Sequence, residues 1–233
     1  MYIYGKNVAY ERLTSNAKIH KTYLRKNFNN KEILALLKAK NIKTSYVDSR
    51  ILDNKVNGNH QGIILEIDEI ETKDINYLLE LNLDNQIVIM LDHLEDPHNF
   101  GAIIRTAEAL GATAIIIPND RNVGITSTVV KTSVGAIEKI PIIRVTSLQA
   151  TLTKLKDNDY WIVGTDMTGV SYTSIDYNPK TVLIIGNEGK GISNTLSKSC
   201  DYMATIPMKG EINSLNASVA CGIILSEIVR QRG

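Results

Sequence analysis

The sequence predicts an α/β fold, a mostly parallel sheet with helices on both faces, preceded by a small α/β N-terminal domain. Three observations carry this. From residue 86 onward five short runs rich in Ile and Val (QIVIMLD, TAIIIP, YWIVGTD, TVLIIGN and YMATIPM) alternate with helical stretches. Nearly continuous apolar strands separated by helices mark a parallel sheet buried on both sides. Residues 1–70 mix helix and strand, and the acidic, polar stretch ETKDINYLLELNLDN at 71–85 looks like a connector. The expected organisation is a domain at 1–70, a linker at 71–85 and a second domain at 86–233.

In chain order, Tyr2, Ile3 and Tyr4 precede Gly5 and a helix-like stretch, and KEILALLKAK places Ile33, Leu34, Leu36 and Leu37 at helical spacing. TSYVD and QGIILEI read as strands, the second closing the first segment. NFGAIIRTAEALGA, SLQATLTKLKDN and GISNTLSKS read as the helices between the later strands. NASVACGIILSEIVRQRG reads as a C-terminal helix, with Ala217, Ala220, Cys221, Ile224 and Ile228 for its packed face.

Composition excludes several classes. With 43% hydrophobic and 22% charged residues in a 233-residue chain, a sizeable core is affordable, and the net charge is +1. The charge is unevenly placed: residues 11–40 carry eight Lys or Arg against Glu11 and Glu32, which suits a nucleic-acid backbone or a solvated helix face. Cys200 and Cys221 have neither CxxC spacing nor a nearby His, so neither a metal site nor a disulfide framework is expected. Residues 1–30 hold no apolar leader core and no run approaches ~18 apolar residues, so a cytoplasmic protein is expected.

TVLIIGNEGKGIS, residues 181–193, poses a chemical question: a strand runs into Gly186, and Gly189 and Gly191 flank Lys190. A phosphate-binding P-loop would need a Gly where Ile184 stands and a Ser or Thr after Lys190, where Gly191 stands. The dinucleotide spacing G-x-G-x-x-G fails as well. What remains is a strand-to-turn junction carrying Asn187 and Glu188 beside backbone amides that the glycines leave free.

Two other strand ends carry polar groups, and in open α/β sheets sites form at such ends. LDHLEDPHNFGAIIRTAEALGA, residues 91–112, places Asp96, Pro97, His98 and Asn99 in a loop. Asn99 and Gly101 suit the helix start, and Arg105 stands on an otherwise apolar, Ala-rich helix. His98 is the general-base candidate by its ordinary pKa, although a lone loop His is usually only exposed. IPMKGEINSLNAS, residues 206–218, brings Asn213, Ser214 and Asn216, all good helix caps, around Leu215.

Taken together, DPxNxGxxxRTAxxxG, LIIGNEGKGI and IPMxGxxxSLNAS, in that order, closely resemble the motifs of the SpoU (TrmH-like) family of RNA ribose 2′-O-methyltransferases, of the knotted SPOUT class. GTD at 164–166 and KTSVGAIEKIPIIRV at 131–145 fit the same pattern. The resemblance covers 86–233. Residues 1–70, from GKNVAYERL to HQGIILEI, are similar to the family's substrate-binding domain of ribosomal-protein L30-like shape. That domain points to the branch that methylates a guanosine in large-subunit (23S) rRNA.

The resemblance implies a trefoil knot in the last part of the chain, binding S-adenosyl-L-methionine without a metal. Thr165, Gly186, Asn187, Gly189, Ile206, Met208, Ser214 and Leu215 would form the cofactor site, and Asn99, Arg105, Glu188, Ser214 and Asn216 the catalytic set. Family accounts have the matching Arg activate the ribose hydroxyl. A guanidinium with a pKa above ~12 is a poor base, so Arg105 is expected to bind ribose-phosphate and lower the hydroxyl's pKa electrostatically. A homodimer acting on RNA is implied, with neither DNA nor membrane as partner. The rival readings are a tRNA 2′-O-methyltransferase and a non-catalytic RNA-binding ribosome-assembly factor.

Overall fold

Strands β5 (Ile87–Leu91), β6 (Ala114–Pro118) and β9 (Thr181–Ile185) are buried at every residue, as expected for strands covered on both faces. The computed structural model describes residues 1–15, 17–81, 83–211 and 214–233. Besides these strands the chain forms β1 (Tyr2–Tyr4), α1 (Lys6–Thr14), β2 (Lys21–Arg25), α2 (Lys31–Ala39), β3 (Thr44–Val47), α3 (Ser49–Asp53), β4 (Ile63–Glu66) and α4 (Ile75–Glu80). After β5 come α5 (Pro97–Ala109), α6 (Ser127–Thr132), β7 (Ile142–Val145), α7 (Leu148–Lys156), β8 (Trp161–Ser171), α8 (Asn194–Ser197), β10 (Tyr202–Thr205) and α9 (Ala217–Arg232).

The chain divides into two compact units, residues 1–70 with 125–135, and residues 71–124 with 136–233. In the first, a four-stranded sheet runs β1-β4-β2-β3. β4 pairs antiparallel with β1 and β2, while β2 and β3 are parallel. Its core includes Ile3, Leu13, Leu24, Ile63 and Leu65. The sequence reading missed β2, whose KTYLR buries only Thr22 and Leu24. α6, which lies inside the expected second domain at 86–233, groups with this unit and packs on β1.

The second unit is a six-stranded sheet in the order β10-β8-β9-β5-β6-β7, parallel throughout. One face carries Val88, Met90, Ile116, Ile143, Val182 and Ile184 against Leu78 of α4, Leu152 of α7 and Leu196 of α8. Alternate residues point the other way, toward the side where α5 and α9 pack on each other and on β6 and β9. β7 was not read as a strand because it is a four-residue edge. The expected linker is part of this unit: Lys73 donates its N–H to the carbonyl of Ile142, Arg144 donates to the carbonyl of Lys73, and Leu78 is fully buried.

Candidate active site

Parallel strands align their carboxyl ends, so β10, β9 and β5 deliver Ile206, Gly186 and Asp92 to one rim of the sheet, at about 4.8 Å per strand; Thr165 follows the last β8 residue paired with β9, and β8 runs on past it to Ser171. The site is assembled from the loops that leave this rim.

The turn after β9 folds on itself. Asn187 and Gly191 exchange both backbone hydrogen bonds, at 3.0 and 2.9 Å, and the Asn187 Oδ1 accepts the N–H groups of Gly189 and Lys190. The expectation of amides freed by the glycines is therefore overturned: these N–H groups are satisfied inside the turn. Gly186 has the same explanation. A Cβ there would lie 2.3 Å from the carbonyl carbon of Gly191 and 2.4 Å from the nitrogen of Ile192, so the missing side chain makes room for the turn's own return. With these donors used inside the turn, it is poorly made for a phosphate, which is held by free N–H groups.

The second loop starts α5 earlier than the sequence reading placed it. Asp96 is the N-cap, its Oδ1 accepting the N–H of His98, and Pro97 occupies the first turn. An acceptor followed by a pre-formed φ is the stronger start signal. Asn99 is thereby inside the helix, buried, with its amide free for distant partners. Its Nδ2 donates to Glu188 Oε1 at 3.0 Å, and its Oδ1 accepts from Asn216 Nδ2 at 2.8 Å. Asn216 caps α9 at the same time, its Oδ1 accepting the N–H of Ser218. One carboxylate and two amides thus join the loops after β5, β9 and β10.

Other expected residues lie around this relay. Met208 and Leu215 are exposed apolar side chains, 40% and 37% accessible, and Ile206 is half-buried. The Thr165 hydroxyl donates to the carbonyl of Ile184, turned toward β9. Ser214 and His98 are exposed. Asn213 lies outside the described residues. Arg105 is not brought into the relay: it sits on the exposed side of α5, six residues beyond Asn99, which is about 9 Å along the axis and two-thirds of a turn round. The sequence reading also passed over Asp92 and His93. Asp92 is buried, its Oδ2 accepts the N–H of Ser193 at 2.7 Å, and its Oδ1 lies 2.6 Å from His93 Nδ1. Their signal was a charged dipeptide at the carboxyl end of an apolar strand.

Residues 86–226 match the SpoU rRNA Methylase family, and residues 2–73 match a domain described as RNA 2′-O ribose methyltransferase substrate binding. The chain belongs to the SpoU family. SpoU methyltransferases are RNA methyltransferases that use S-adenosylmethionine. A SpoU relative, the TrmH-family tRNA/rRNA methyltransferase YacO of Bacillus subtilis, is 40% identical over 99% of this chain and 96% of its own. A Staphylococcus aureus protein of the same description is 38% identical over the same 99% of this chain and 96% of its own. Among solved SpoU structures, AviRb of Streptomyces viridochromogenes in complex with AdoMet is 25% identical with a TM-score of 0.80, covering 100% of this chain and 90% of that one. An AdoMet-bound rRNA methyltransferase of Sinorhizobium meliloti is 27% identical with a TM-score of 0.75, over 98% and 86%.

The rim fits the SpoU cofactor. Exposed Met208 and Leu215 offer apolar contact of the kind a purine face takes. Among the described residues no helix is long and apolar enough to cross a membrane.

Proposed function

We propose that this protein transfers a methyl group from S-adenosylmethionine to the ribose 2′-hydroxyl of a guanosine in 23S rRNA. The observation that carries it is the relay Glu188–Asn99–Asn216, which ties together at one rim the polar groups of three separate loops. The match of residues 2–73 to a ribose methyltransferase substrate-binding domain supports the hydroxyl as acceptor. The basic stretch 11–40 supports an RNA partner, with its Lys and Arg contacting phosphates.

S-adenosylmethionine supplies a methyl group on a good leaving group, so the chain's own tasks are alignment and handling of one proton. Ile206, Met208 and Leu215 hold the adenine by apolar contact, with Gly186, Asn187 and Gly189 forming the adjoining backbone and Thr165 and Ser214 flanking it. Asn99, Glu188 and Asn216 hold the loops in register and orient the nucleotide. Arg105, exposed and cationic, binds the ribose-phosphate and favours the alkoxide electrostatically. The protein works as a homodimer: the outer side of α9, where Ser218, Val219, Gly222, Ile223 and Ser226 line a groove of about 530 Å³, supports packing against a second copy. RNA held by the N-terminal unit of one chain is then modified near the other.

The test is transfer of labelled methyl from S-adenosylmethionine to separated, unmodified rRNA and tRNA, with Arg105→Ala alongside and the product nucleoside identified. Label as 2′-O-methylguanosine in large-subunit rRNA, lost in the variant, is expected. Label confined to tRNA keeps the chemistry and overturns the substrate. RNA binding without label in either RNA leaves an assembly factor.

A further inference from the structure

Methylation of a hydroxyl releases a proton, and Arg105 is a guanidinium with no lone pair to receive it. We propose that His93 accepts this proton at Nε2, with Asp92 holding the ring; the inference rests on the ribose-hydroxyl reading above.

The dyad is built like a catalytic base and its orienter. Asp92 follows directly on β5 and is 2% exposed. An ionised carboxylate only accepts hydrogen bonds, so its 2.6 Å contact with His93 Nδ1 fixes the hydrogen on Nδ1. Nε2 of the neutral ring keeps its lone pair. The other oxygen of Asp92 is anchored by the N–H of Ser193 at 2.7 Å, so the carboxylate cannot swing away with the ring. The imidazole is 36% accessible.

The backbone of His93 is tied to the loops of the relay. The His93 carbonyl accepts from Asn187 Nδ2 at 2.9 Å, which ties it to the turn whose Glu188 takes Asn99. The residue has φ 57, in the left-handed region that His, Asn and Asp enter more readily than other non-glycine residues. His98, the histidine that the sequence suggested, is exposed. His20 and His60 pair with Asp68 and Asp53 in the other unit.

Charged groups on the surrounding segments are Glu95 on the same loop, Glu188 and Lys190 in the turn after β9, and Asp120 and Arg121 on the stretch whose Val123 donates to the carbonyl of Leu94. Among the described residues, Asp92 is the one within ion-pair distance of the ring. In the step, the 2′-oxygen forms a bond to the methyl carbon while the sulfur–methyl bond breaks, its electron pair staying on sulfur. The hydroxyl proton passes to Nε2, and the imidazolium pairs with Asp92 until solvent takes the proton.

The experiment is single-turnover methyl transfer against pH for wild type, His93→Asn and His93→Gln, with NMR titration of the His93 ring in the cofactor-free protein. Asn is chosen because it tolerates the left-handed backbone. We expect wild type to lose rate as pH falls through the His93 titration midpoint. His93→Asn should lower the rate constant by roughly 10²- to 10⁴-fold, abolish that acid limb and leave RNA binding and S-adenosylmethionine affinity unchanged. An acid limb that persists in both variants, or an NMR midpoint away from the wild-type limb, overturns the assignment while leaving the parent reading intact. A wild type that makes no 2′-O-methyl product overturns both.

Discussion

Asn216 donates to Asn99 across 2.8 Å and 117 positions of sequence. Each amide is used at both ends, since Asn216 also caps α9 and Asn99 also reaches Glu188. Asn99→Ala should therefore lower kcat/KM by up to about 100-fold, the scale of small misplacements in a reacting geometry. Asn99→Asp should do worse, because it sets a second carboxylate against Glu188, and Glu188→Gln in the same chain should recover part of the loss. Steady-state kinetics on the four proteins checks this.

Gly186→Ala places a Cβ 2.3 Å from backbone that has no rotamer to escape into. Overpacking of this kind costs about 1–3 kcal/mol, and here the strain falls on the turn proposed above to adjoin the cofactor. Calorimetry should show S-adenosylmethionine affinity reduced while circular dichroism remains that of the folded protein.

Arg232 clasps two separate stretches of chain. Its guanidinium donates to the carbonyls of Asn85, Tyr177 and Pro179 and to the Thr181 hydroxyl, fixing the entries to β5 and β9. Burial lowers its pKa from the ordinary value. Removing one charged donor from several carbonyls should cost roughly 2–4 kcal/mol, so Arg232→Ala should unfold at clearly lower temperature. Arg232→Lys should recover little, because an ammonium cannot span the fork.

Glu227 is held in its charged form, chiefly by the hydrogen bond from Arg230 and then by that from Gln231, which brings its pKa down to about 2. Its folded pKa lies below the unfolded one. It therefore contributes stability above the ordinary carboxylate range, and this is lost as pH falls toward 2. Urea midpoints measured down that range should fall less steeply for Glu227→Gln than for wild type.

How far the sequence was legible follows from what each signal depends on. TVLIIG and IVIML could be read as central strands because burial on both faces leaves a nearly unbroken apolar run. β2 and β7 were missed because a half-buried strand and a four-residue edge carry too few apolar residues to stand out. The residues of the relay, Asn99, Glu188 and Asn216, could be picked out because their motifs are contiguous in sequence. Their mutual hydrogen bonds could not.

By itself the sequence determined the class of fold, the alternation of β and α from residue 86, and the family motifs. All of these are local patterns, written in runs of neighbouring residues. Only the tertiary structure decided that the glycine turn closes on its own amides, that Arg105 stands apart from the relay, and that Asp92 orients His93. Those outcomes depend on which strands lie side by side and how closely their loops approach. Bonds such as that between Ser193 and Asp92, 101 positions apart, leave no periodicity in the chain.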